Sequence, residues 1–345
     1  MNLTLIVSNV QLTLAIVSFL MNGLLITLIA LKSPKTLGIY KYLMMFMSAF
    51  EIFYALIDLL VKPEVRTKDY YWVTNTNSQR SILPLSVAYP LLLIWACSFG
   101  IALACFGVHF VYRYFIVTGN TKWISGFKNC CLWMTFPILS GFVYGVTIHA
   151  YLYFDQVLDI NLRTEIGESA GVSSNEVICF GFSVFTGYNV VNWSQILGVF
   201  LLTCIIAVSF TTMIYFGLKG YWAIKSLQKS HQDASSSSSR NLQTQLFYSL
   251  VIQTIIPIAL IHFPTTLIFI SAFLGESQEV YGHVITVTIS LFPALDPLPS
   301  LIIIKPYRQT VKNILKLRFK SQILPSSKAS NQPTSMHSSS RAPTI

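Results

Sequence analysis

Three acidic residues lie within long apolar stretches of this sequence. Glu51 and Asp58 are seven residues apart, which is two helical turns, so a helix presents both on one face with Tyr54 between them. Asp296 lies in the last apolar stretch. Because a carboxyl group in hydrocarbon is costly and normally faces other protein, these acids predict polar contacts between helices.

The roles of the first two acids stay open on sequence grounds. Glu51 falls near the middle of its apolar stretch, where it is either part of a polar switch between helices or a protonated packing residue. Asp58 falls near the end of the same stretch. A place at the membrane interface is favoured for Asp58 over a functional one.

Asp296 is followed by two prolines, Pro297 and Pro299. Prolines remove backbone donors and bend a helix, and the Asp296 carboxyl can accept hydrogen bonds near such a bend. The motif is therefore either a hinge or a fixed kink. Together with Glu51, these three residues are the conformational-switch candidates.

A second polar group ends the third apolar stretch, which reads Tyr112-Arg113-Tyr114 after His109. A lone arginine at a membrane boundary is often a snorkelling anchor. Its place on the third stretch also suits contact with a cytoplasmic partner. Further back on the same helical face lie Trp95 and Phe99, which either fill the core or line a pocket.

Motifs for enzymatic chemistry are absent from the sequence. It contains no HExxH, GxSxG or glycine-rich phosphate loop, and its six cysteines form no CxxC or other metal-ligand spacing. The last apolar stretch has no lysine before Lys305, which excludes a retinal Schiff base at its usual place. The sequence predicts no catalytic residue, no metal and no cofactor.

The elements that hold these residues are membrane spans. Of 345 residues, 53% are hydrophobic and only 10% are charged, whereas soluble domains carry about 25% charged residues. A span needs about 20 apolar residues. Seven stretches qualify, approximately 5–31, 43–61, 86–112, 130–153, 194–218, 245–273 and 283–304.

The distribution of basic residues predicts the orientation. With the N-terminus outside, the inner segments hold 18 of the 23 Lys and Arg residues, as expected for a cytoplasmic face. The first outer loop departs from this rule, since it holds four basic residues and two acids. Two sequons, at Asn2 and Asn192, are glycosylation candidates on the predicted outer side.

The organisation expected is an all-α seven-helix domain over residues 1–304, an amphipathic helix over 305–320 and a disordered cytoplasmic tail over 321–345. The helix places Val311, Ile314, Leu315 and Phe319 on one face and most of its basic residues elsewhere. This pattern is typical of a helix lying on the inner leaflet, where anionic lipid attracts basic side chains. The net charge of +10 is therefore assigned to membrane lipids and not to nucleic acid.

Several motifs together resemble a known family, the nematode serpentine chemoreceptors of the Str class (serpentine receptor class r). They are Lys32-Ser-Pro34-Lys-Thr-Leu-Gly38-Ile-Tyr40, Phe50-Glu51-Ile-Phe-Tyr54, His109-Phe-Val-Tyr112-Arg113-Tyr114 and Asp296-Pro297-Leu-Pro299. The resemblance covers nearly the whole chain. It implies a GPCR-like bundle, odorant detection at the plasma membrane of sensory cilia, and a heterotrimeric G protein as partner. Tyr112, Arg113 and Tyr114 are the candidates for contact with that G protein.

The sequence departs from rhodopsin-like receptors at several of their motifs. Tyr112 replaces the acid before the conserved Arg, Asp296 replaces Asn before Pro, and Ala88 stands where their third-span cysteine falls. Cys97 lies too deep in its span to pair readily with Cys179. Their activation mechanism is therefore not transferred in detail.

The ligand class follows from one position. Amine receptors of the rhodopsin-like type carry a carboxylate 18 residues before the Arg, where this sequence has Trp95. Without a counter-charge a cation is disfavoured, so a small neutral, volatile or weakly polar ligand is expected. Asp58 remains open as a counter-charge, and so does cation–π attraction to Trp95. The ligand-binding candidates are Trp95, Phe99, Tyr89, Asp58, His262, Thr265, Thr286 and Thr288.

A transporter or ligand-gated channel is the alternative function. Transporters usually show internal repeats and broken helices around a charged midplane site, whereas this sequence shows no repeat and one midplane acid. Seven-span odorant channels of insects have the N-terminus inside, opposite to the orientation that the basic residues predict.

Overall fold

The computed structural model describes residues 3–229 and 234–323. The chain divides into two compact units, Met1–Arg308 and Gln309–Ile345. Within the described residues, seven helices are long and apolar enough to cross a membrane. They are Ile6–Lys32, Tyr40–Val61, Leu85–Val117, Phe127–Tyr151, Trp193–Leu227, Arg240–Leu274 and Glu279–Ile303.

The α-helices of the described segments are eleven in number. They are α1 (Leu3–Lys32), α2 (Tyr40–Val61), α3 (Leu85–Val117), α4 (Phe127–Tyr151), α5 (Gln156–Ala170), α6 (Trp193–Lys229), α7 (Ala234–Pro257), α8 (Phe263–Leu274), α9 (Glu279–Leu295), α10 (Pro297–Ile303) and α11 (Lys305–Ile323). Spans one to four are α1 to α4, and span five is α6. Span six comprises α7 and α8, and span seven comprises α9 and α10.

Proline breaks the sixth and seventh spans at defined points. The helix α7 ends at Pro257, and the next five residues, Ile258–His262, form a π-helical turn before Pro264 occupies the first turn of α8. A proline lacks the N–H that an α-helical turn needs, and a wider turn accommodates the freed carbonyls. In span seven, Asp296 separates α9 from Pro297, the first residue of α10.

A three-stranded antiparallel sheet closes one end of the bundle. Its strands are β1 (Glu64–Lys68), β2 (Tyr71–Asn77) and β3 (Val177–Ser183), in the order β1-β2-β3. The hairpin between β1 and β2 turns at Asp69, which has a positive φ of 45°. This sheet was not predicted, because its strands are short and lie in segments expected to be loops. The end that carries it is called here the sheet end, and the other the tail end.

The second long loop at the sheet end is also ordered. Asp155 caps α5 by accepting hydrogen bonds from two backbone N–H groups, and Gly171 ends the helix with a left-handed conformation. Leu162 and Ile166 of α5 are buried against the sheet together with Val73. The predicted loop 154–193 is therefore largely helix and strand, packed over the roof of the bundle.

Candidate functional site

An apolar cavity of about 90 Å³ lies within the bundle beneath the sheet. The third span contributes Trp95 and Phe99, the sixth contributes His262 and Thr265, and the fifth contributes Leu202. The remaining lining residues are Val65, Trp72, Thr74, Ala96, Leu103, Tyr144, Ile148, Phe180, Ile206, Ile261, Ile268, Phe269, Ile285 and Ile289. For comparison, a dry apolar cavity of about 150 Å³ holds benzene. The volume therefore suits a molecule of only a few carbon atoms.

The sheet forms the roof of this cavity. One lining residue comes from β1 (Val65), two from β2 (Trp72 and Thr74) and one from β3 (Phe180). The edge of Trp72 meets Phe269 at 5.4 Å between ring centroids. None of these residues was a candidate from the sequence. An aromatic pair, Tyr71-Trp72, in an otherwise polar loop was the only signal available.

Four of the eight ligand-binding candidates line the cavity. Trp95 and Phe99 meet edge to face at 5.1 Å, and His262 and Thr265 face them from the sixth span. The other four, Tyr89, Asp58, Thr286 and Thr288, do not belong to its lining. Tyr89 instead pairs with His149 on the fourth span, at 3.1 Å between hydroxyl and imidazole.

Asp58 lies behind Trp95 and not at the membrane interface that was favoured for it. The carboxylate is 2% exposed. It accepts a hydrogen bond from Trp95 Nε1 at 3.0 Å and another from Ser290 Oγ at 2.8 Å. This face of the second span packs against spans three and seven, so the side chain is held by protein groups. Asp58 therefore positions the indole that lines the cavity.

The two threonines of span seven have other partners. Thr286 Oγ1 accepts a hydrogen bond from the Val65 backbone N–H at 2.9 Å and donates to the Gly282 carbonyl at 2.8 Å. It therefore anchors β1 to the seventh span. Thr288 donates to the Ile285 carbonyl at 3.1 Å. The sequence pattern did not show this, because β1 itself was not predicted.

Several polar groups of the lining residues remain without a hydrogen-bond partner. Within the described part of the chain, Trp72 Nε1 is buried with no hydrogen-bond acceptor. Neither the His262 imidazole nor the Thr265 hydroxyl makes a hydrogen bond to another described residue. No Asp, Glu, Lys or Arg of residues 3–229 and 234–323 lines the cavity. The arrangement is an apolar wall with a few neutral hydrogen-bonding groups, which is the usual composition of a small-molecule site.

A buried ionic cluster holds the roof in place. Glu64 is fully buried, and its carboxylate lies 3.2 Å from Arg80, 3.5 Å from Arg66 and 3.7 Å from His283. Burial lowers the pKa of Arg80, and the Glu64 carboxylate raises it in part, so the guanidinium stays charged. Lys68 pairs with Glu165 of α5 at 2.8 Å. These pairs engage three of the four basic residues in the loop between the second and third spans.

The switch candidates form a second polar centre, deeper toward the tail end. Glu51 and Asp296 are both 1% exposed and face each other. Gln253 of the sixth span donates to the Asp296 carbonyl at 2.9 Å and to its carboxylate at 3.0 Å. Ser300 donates to Gln253 Oε1 at 3.3 Å. Spans six and seven are therefore joined by hydrogen bonds at this centre, and span two adds the Glu51 carboxylate, whose two oxygens have no hydrogen-bond partner among the described residues. Pro297 and Pro299, which follow Asp296, are buried as well.

Arg113 is buried and not at the protein surface. Its guanidinium donates to the Gln243 carbonyl of the sixth span at 2.8 Å and lies 4.8 Å above the Tyr40 ring. Tyr40 in turn is 2.9 Å from His109 Nδ1. Of the two alternatives that the sequence left open, a snorkelling anchor does not fit this position, because the face of span three that carries Arg113 packs against spans two and six. Contact with a cytoplasmic partner stays a prediction.

The tyrosines beside Arg113 are held by the bundle as well. Tyr112 is buried and donates to the Ile124 carbonyl at 2.9 Å. Tyr114 is half-buried and packs on Phe216 at 5.5 Å between ring centroids. In this conformation Arg113 reaches a partner only after α7 has moved away from α3.

The remaining candidates from the sequence are the cysteines and the two sequons. All six cysteines, which lie in the described part, are free. Burial raises the pKa of the Cys179 thiol to about 12, so it stays a neutral thiol. Asn192 Oδ1 accepts a hydrogen bond from the Gln195 N–H at 3.2 Å, whereas Asn2 lies outside the described residues. No three His, Cys, Asp or Glu side chains of the described residues are arranged to hold a metal ion.

The expected amphipathic segment is helical. It forms α11, and Ile314 and Leu315 are about half exposed on it, at 44% and 50%. The side chain of Phe319 lies outside the description. An exposed apolar pair on a basic helix is what binding to a lipid surface requires.

This bundle has the fold of the seven-helix receptors. The crystal structure of squid rhodopsin matches it with a TM-score of 0.60 at 11% identity, covering 99% of this chain and 90% of that one. At this identity the likeness concerns the fold alone.

The sequence comparisons narrow this class to one family. The family model described as "Serpentine type 7TM GPCR chemoreceptor Str" matches residues 7–312. A Caenorhabditis elegans protein named G-protein coupled receptor str-217 is 32% identical over 295 residues, which is 85% of each chain. Serpentine receptor class r-10 of the same organism is 28% identical over 311 residues, covering 86% of this chain and 87% of its own. The chain belongs to the Str family of seven-transmembrane chemoreceptors and is a multi-pass membrane protein.

Proposed function

We propose that this receptor detects a small neutral, weakly polar molecule in the cavity beneath the sheet and signals to a cytoplasmic heterotrimeric G protein. The observation that carries the ligand class is the lining, in which no described residue is Asp, Glu, Lys or Arg and the Trp72 indole N–H has no hydrogen-bond partner. Asp58 does not supply a counter-charge there, because its carboxylate is held by Trp95 and Ser290 on the far side of the indole.

The proposed signal is the release of Arg113. Agonist binding against Trp95 and His262 shifts the third and sixth spans relative to each other, because both spans line the cavity. The same two spans are joined at the tail end by the Arg113–Gln243 hydrogen bond. Opening that contact exposes Arg113 to a G protein. The proposed setting is the ciliary plasma membrane of a sensory neuron, with the sheet end outside.

The experiment is a screen of matched pairs on cells that express the chain with a G-protein readout. Amines are tested beside ketones, alcohols and esters of the same size, from about two to five carbon atoms, because a cavity this small limits ligand size. Neutral compounds are expected to be the better agonists, and Phe99→Ala and Thr265→Val are expected to change their potency. A permanently charged cation as the best agonist, with its effect abolished by Asp58→Asn, contradicts the proposal.

A further inference from the structure

A second apolar cavity lies beside the first, along the seam between the fifth and sixth spans. Its volume is about 550 Å³, which lies within the range of about 300–1,000 Å³ typical of small-molecule sites. Its floor is formed by Phe110 and Phe247, which are buried, and its rim by Ile214 and Ile255, which are 60% and 55% exposed. It is therefore a groove that opens toward the surrounding lipid.

The groove and the ligand cavity are separated by a single layer of side chains. Ile206 lines the cavity, and Phe210, one turn further along the fifth span, lines the groove. On the sixth span, His262 lines the cavity and Ile258 lines the groove. Between them the Phe210 ring meets the His262 imidazole edge to face at 5.0 Å.

This separating pair lies at an irregular point of the sixth span. His262 is the last residue of the π-helical turn that follows Pro257. Such turns are rare and are often found at functional sites. The imidazole also makes no hydrogen bond to a described residue, so no polar contact holds it against Phe210.

The route through the sheet end is closed by contrast. The β1 strand is tied to the seventh span through the Val65–Thr286 hydrogen bond, and Asp69 and Ser277 exchange two backbone hydrogen bonds of 3.1 and 3.3 Å. At the opposite edge of the sheet, Gln195 of the fifth span accepts from the Ser183 N–H at 2.6 Å. Entry from that side requires several of these bonds to break together.

We propose that the ligand enters its cavity sideways from the bilayer, through the groove between spans five and six, and that Phe210 and His262 form the gate. This inference rests on the function proposed above. A neutral molecule of several carbons concentrates in the bilayer, at about 0.8 kcal/mol per buried methylene. The groove offers such a molecule an apolar binding site outside the cavity. The groove and the cavity become continuous when the Phe210 ring rotates. A lipid acyl chain is the competing occupant.

The test uses azibutanol, a four-carbon neutral alcohol with a photoreactive diazirine, on the full-length chain in lipid nanodiscs. Adducts are mapped by peptide mass spectrometry after brief and after long incubation. Wild type is expected to carry adducts both in the groove, around Met213, and in the cavity, around Thr265. Phe210→Trp enlarges the gate residue and is expected to reduce the cavity adducts of the brief incubation by about tenfold, because entry then needs a larger rearrangement.

Two control variants accompany Phe210→Trp. Phe210→Ala removes the ring and is expected to retain or increase the early cavity adducts, which guards against a folding defect in the tryptophan variant. Phe200→Ala changes an exposed aromatic residue of the same span that lines neither cavity, and is expected to match wild type. In all three variants the groove adducts are expected to persist.

The route through the sheet end is tested with a disulfide between the β1–β2 turn and the segment that precedes the seventh span. Asp69 and Ser277 are a hydrogen-bonded antiparallel pair, whose Cα atoms lie about 5.5 Å apart, within the span of a disulfide. Oxidised Asp69→Cys/Ser277→Cys is expected to keep the early cavity adducts, and its reduced form serves as the matched control. The inference is overturned if oxidation abolishes these adducts. It is also overturned if Phe210→Trp leaves the labelling of the cavity unchanged. A cavity that is never labelled, even after long incubation, contradicts the proposed ligand site itself.

Discussion

The two polar regions of this bundle differ in the kind of group that they bury. Beneath the sheet, Trp72, His262 and Thr265 are neutral side chains at an apolar cavity, and Trp72 Nε1 has no hydrogen-bond partner among the described residues. Toward the tail end, Asp296 and Gln253 share two hydrogen bonds, whereas both carboxylate oxygens of Glu51 and one of Asp296 have no hydrogen-bond partner among the described residues. The region proposed to receive a ligand carries neutral polar groups, whereas the region where three spans meet buries acidic groups.

The largest effect is expected at the buried ionic cluster around Glu64, which stabilises the sheet above the cavity. Glu64→Gln leaves the buried Arg80 without its charge partner, and breaking such a pair costs about 3–5 kcal/mol. Thermal unfolding of the purified receptor in detergent is expected to show a correspondingly large fall in Tm. The matched control is Glu165→Gln, which breaks the exposed pair with Lys68 and costs at most about 1 kcal/mol. Equal shifts for the two variants would contradict the structural role of Glu64.

Arg113 tests the tail-end region through signalling. Arg113→Ala removes the proposed G-protein contact, so the agonist response is expected to fall by more than about tenfold, equivalent to about 1.4 kcal/mol. Surface expression, measured on the same cells by an epitope tag, is expected to stay near wild type. An unchanged response at equal expression would exclude Arg113 as the contact.

Tyr40→Leu separates the holding role of this site from its signalling role. The change removes the ring beneath the guanidinium but leaves Arg113 in place, and cation–π contacts of this kind are worth about 0.5–2 kcal/mol. Basal signalling is therefore expected to rise by about threefold to tenfold. A fall in basal signalling, as in Arg113→Ala, would show that the Tyr40 contact does not restrain the arginine.

Thr265 tests the free hydrogen-bonding groups of the cavity. Thr265→Val keeps the shape and removes the hydroxyl, so the potency of a neutral agonist found in the screen is expected to fall by about fivefold, the worth of one neutral hydrogen bond of about 1 kcal/mol. Thr288→Val is the control, because that hydroxyl is bonded to Ile285 outside the cavity lining. Similar shifts for both threonines would mean that the effect does not arise from ligand contact.

The smallest effect is expected at Asp58. Asp58→Asn keeps the shape and an acceptor for Trp95 Nε1, so the potency of a neutral agonist is expected to change by less than about threefold. Dose–response curves for the variant and the wild type check this directly. A much larger loss for a neutral agonist would place the carboxylate in ligand recognition.

The sequence predicts the bundle better than it predicts the contacts within the bundle. The seven apolar stretches and the shared face of Glu51 and Asp58 follow from length and helical periodicity, which depend only on local spacing. The burial of Arg113 does not follow, because it depends on which residues of the second and sixth spans meet it. Thr286 shows the same limit, since its partner is a strand residue more than two hundred positions away.

The cavity was likewise predictable only in part. Trp95 and Phe99 were found because an arginine on the same span gives a reference for counting turns. Trp72 and Phe180 were missed, because short strands within polar loops have too few residues for their alternation to stand out. The roof of the site therefore depends on pairing between strands that are far apart in the chain, and a single sequence does not reveal this pairing.

The order of strands in the sheet has a consequence for how the chain is made. The central strand β2 pairs with β1 through a local hairpin. Its other edge pairs with β3, whose residues lie about a hundred positions further along the chain. During synthesis the third and fourth spans are therefore inserted before that edge is covered, and a nascent chain halted there exposes an unpaired strand of the kind that invites aggregation. The sheet is therefore complete only after the second half of the receptor has been synthesised and has packed against the first half.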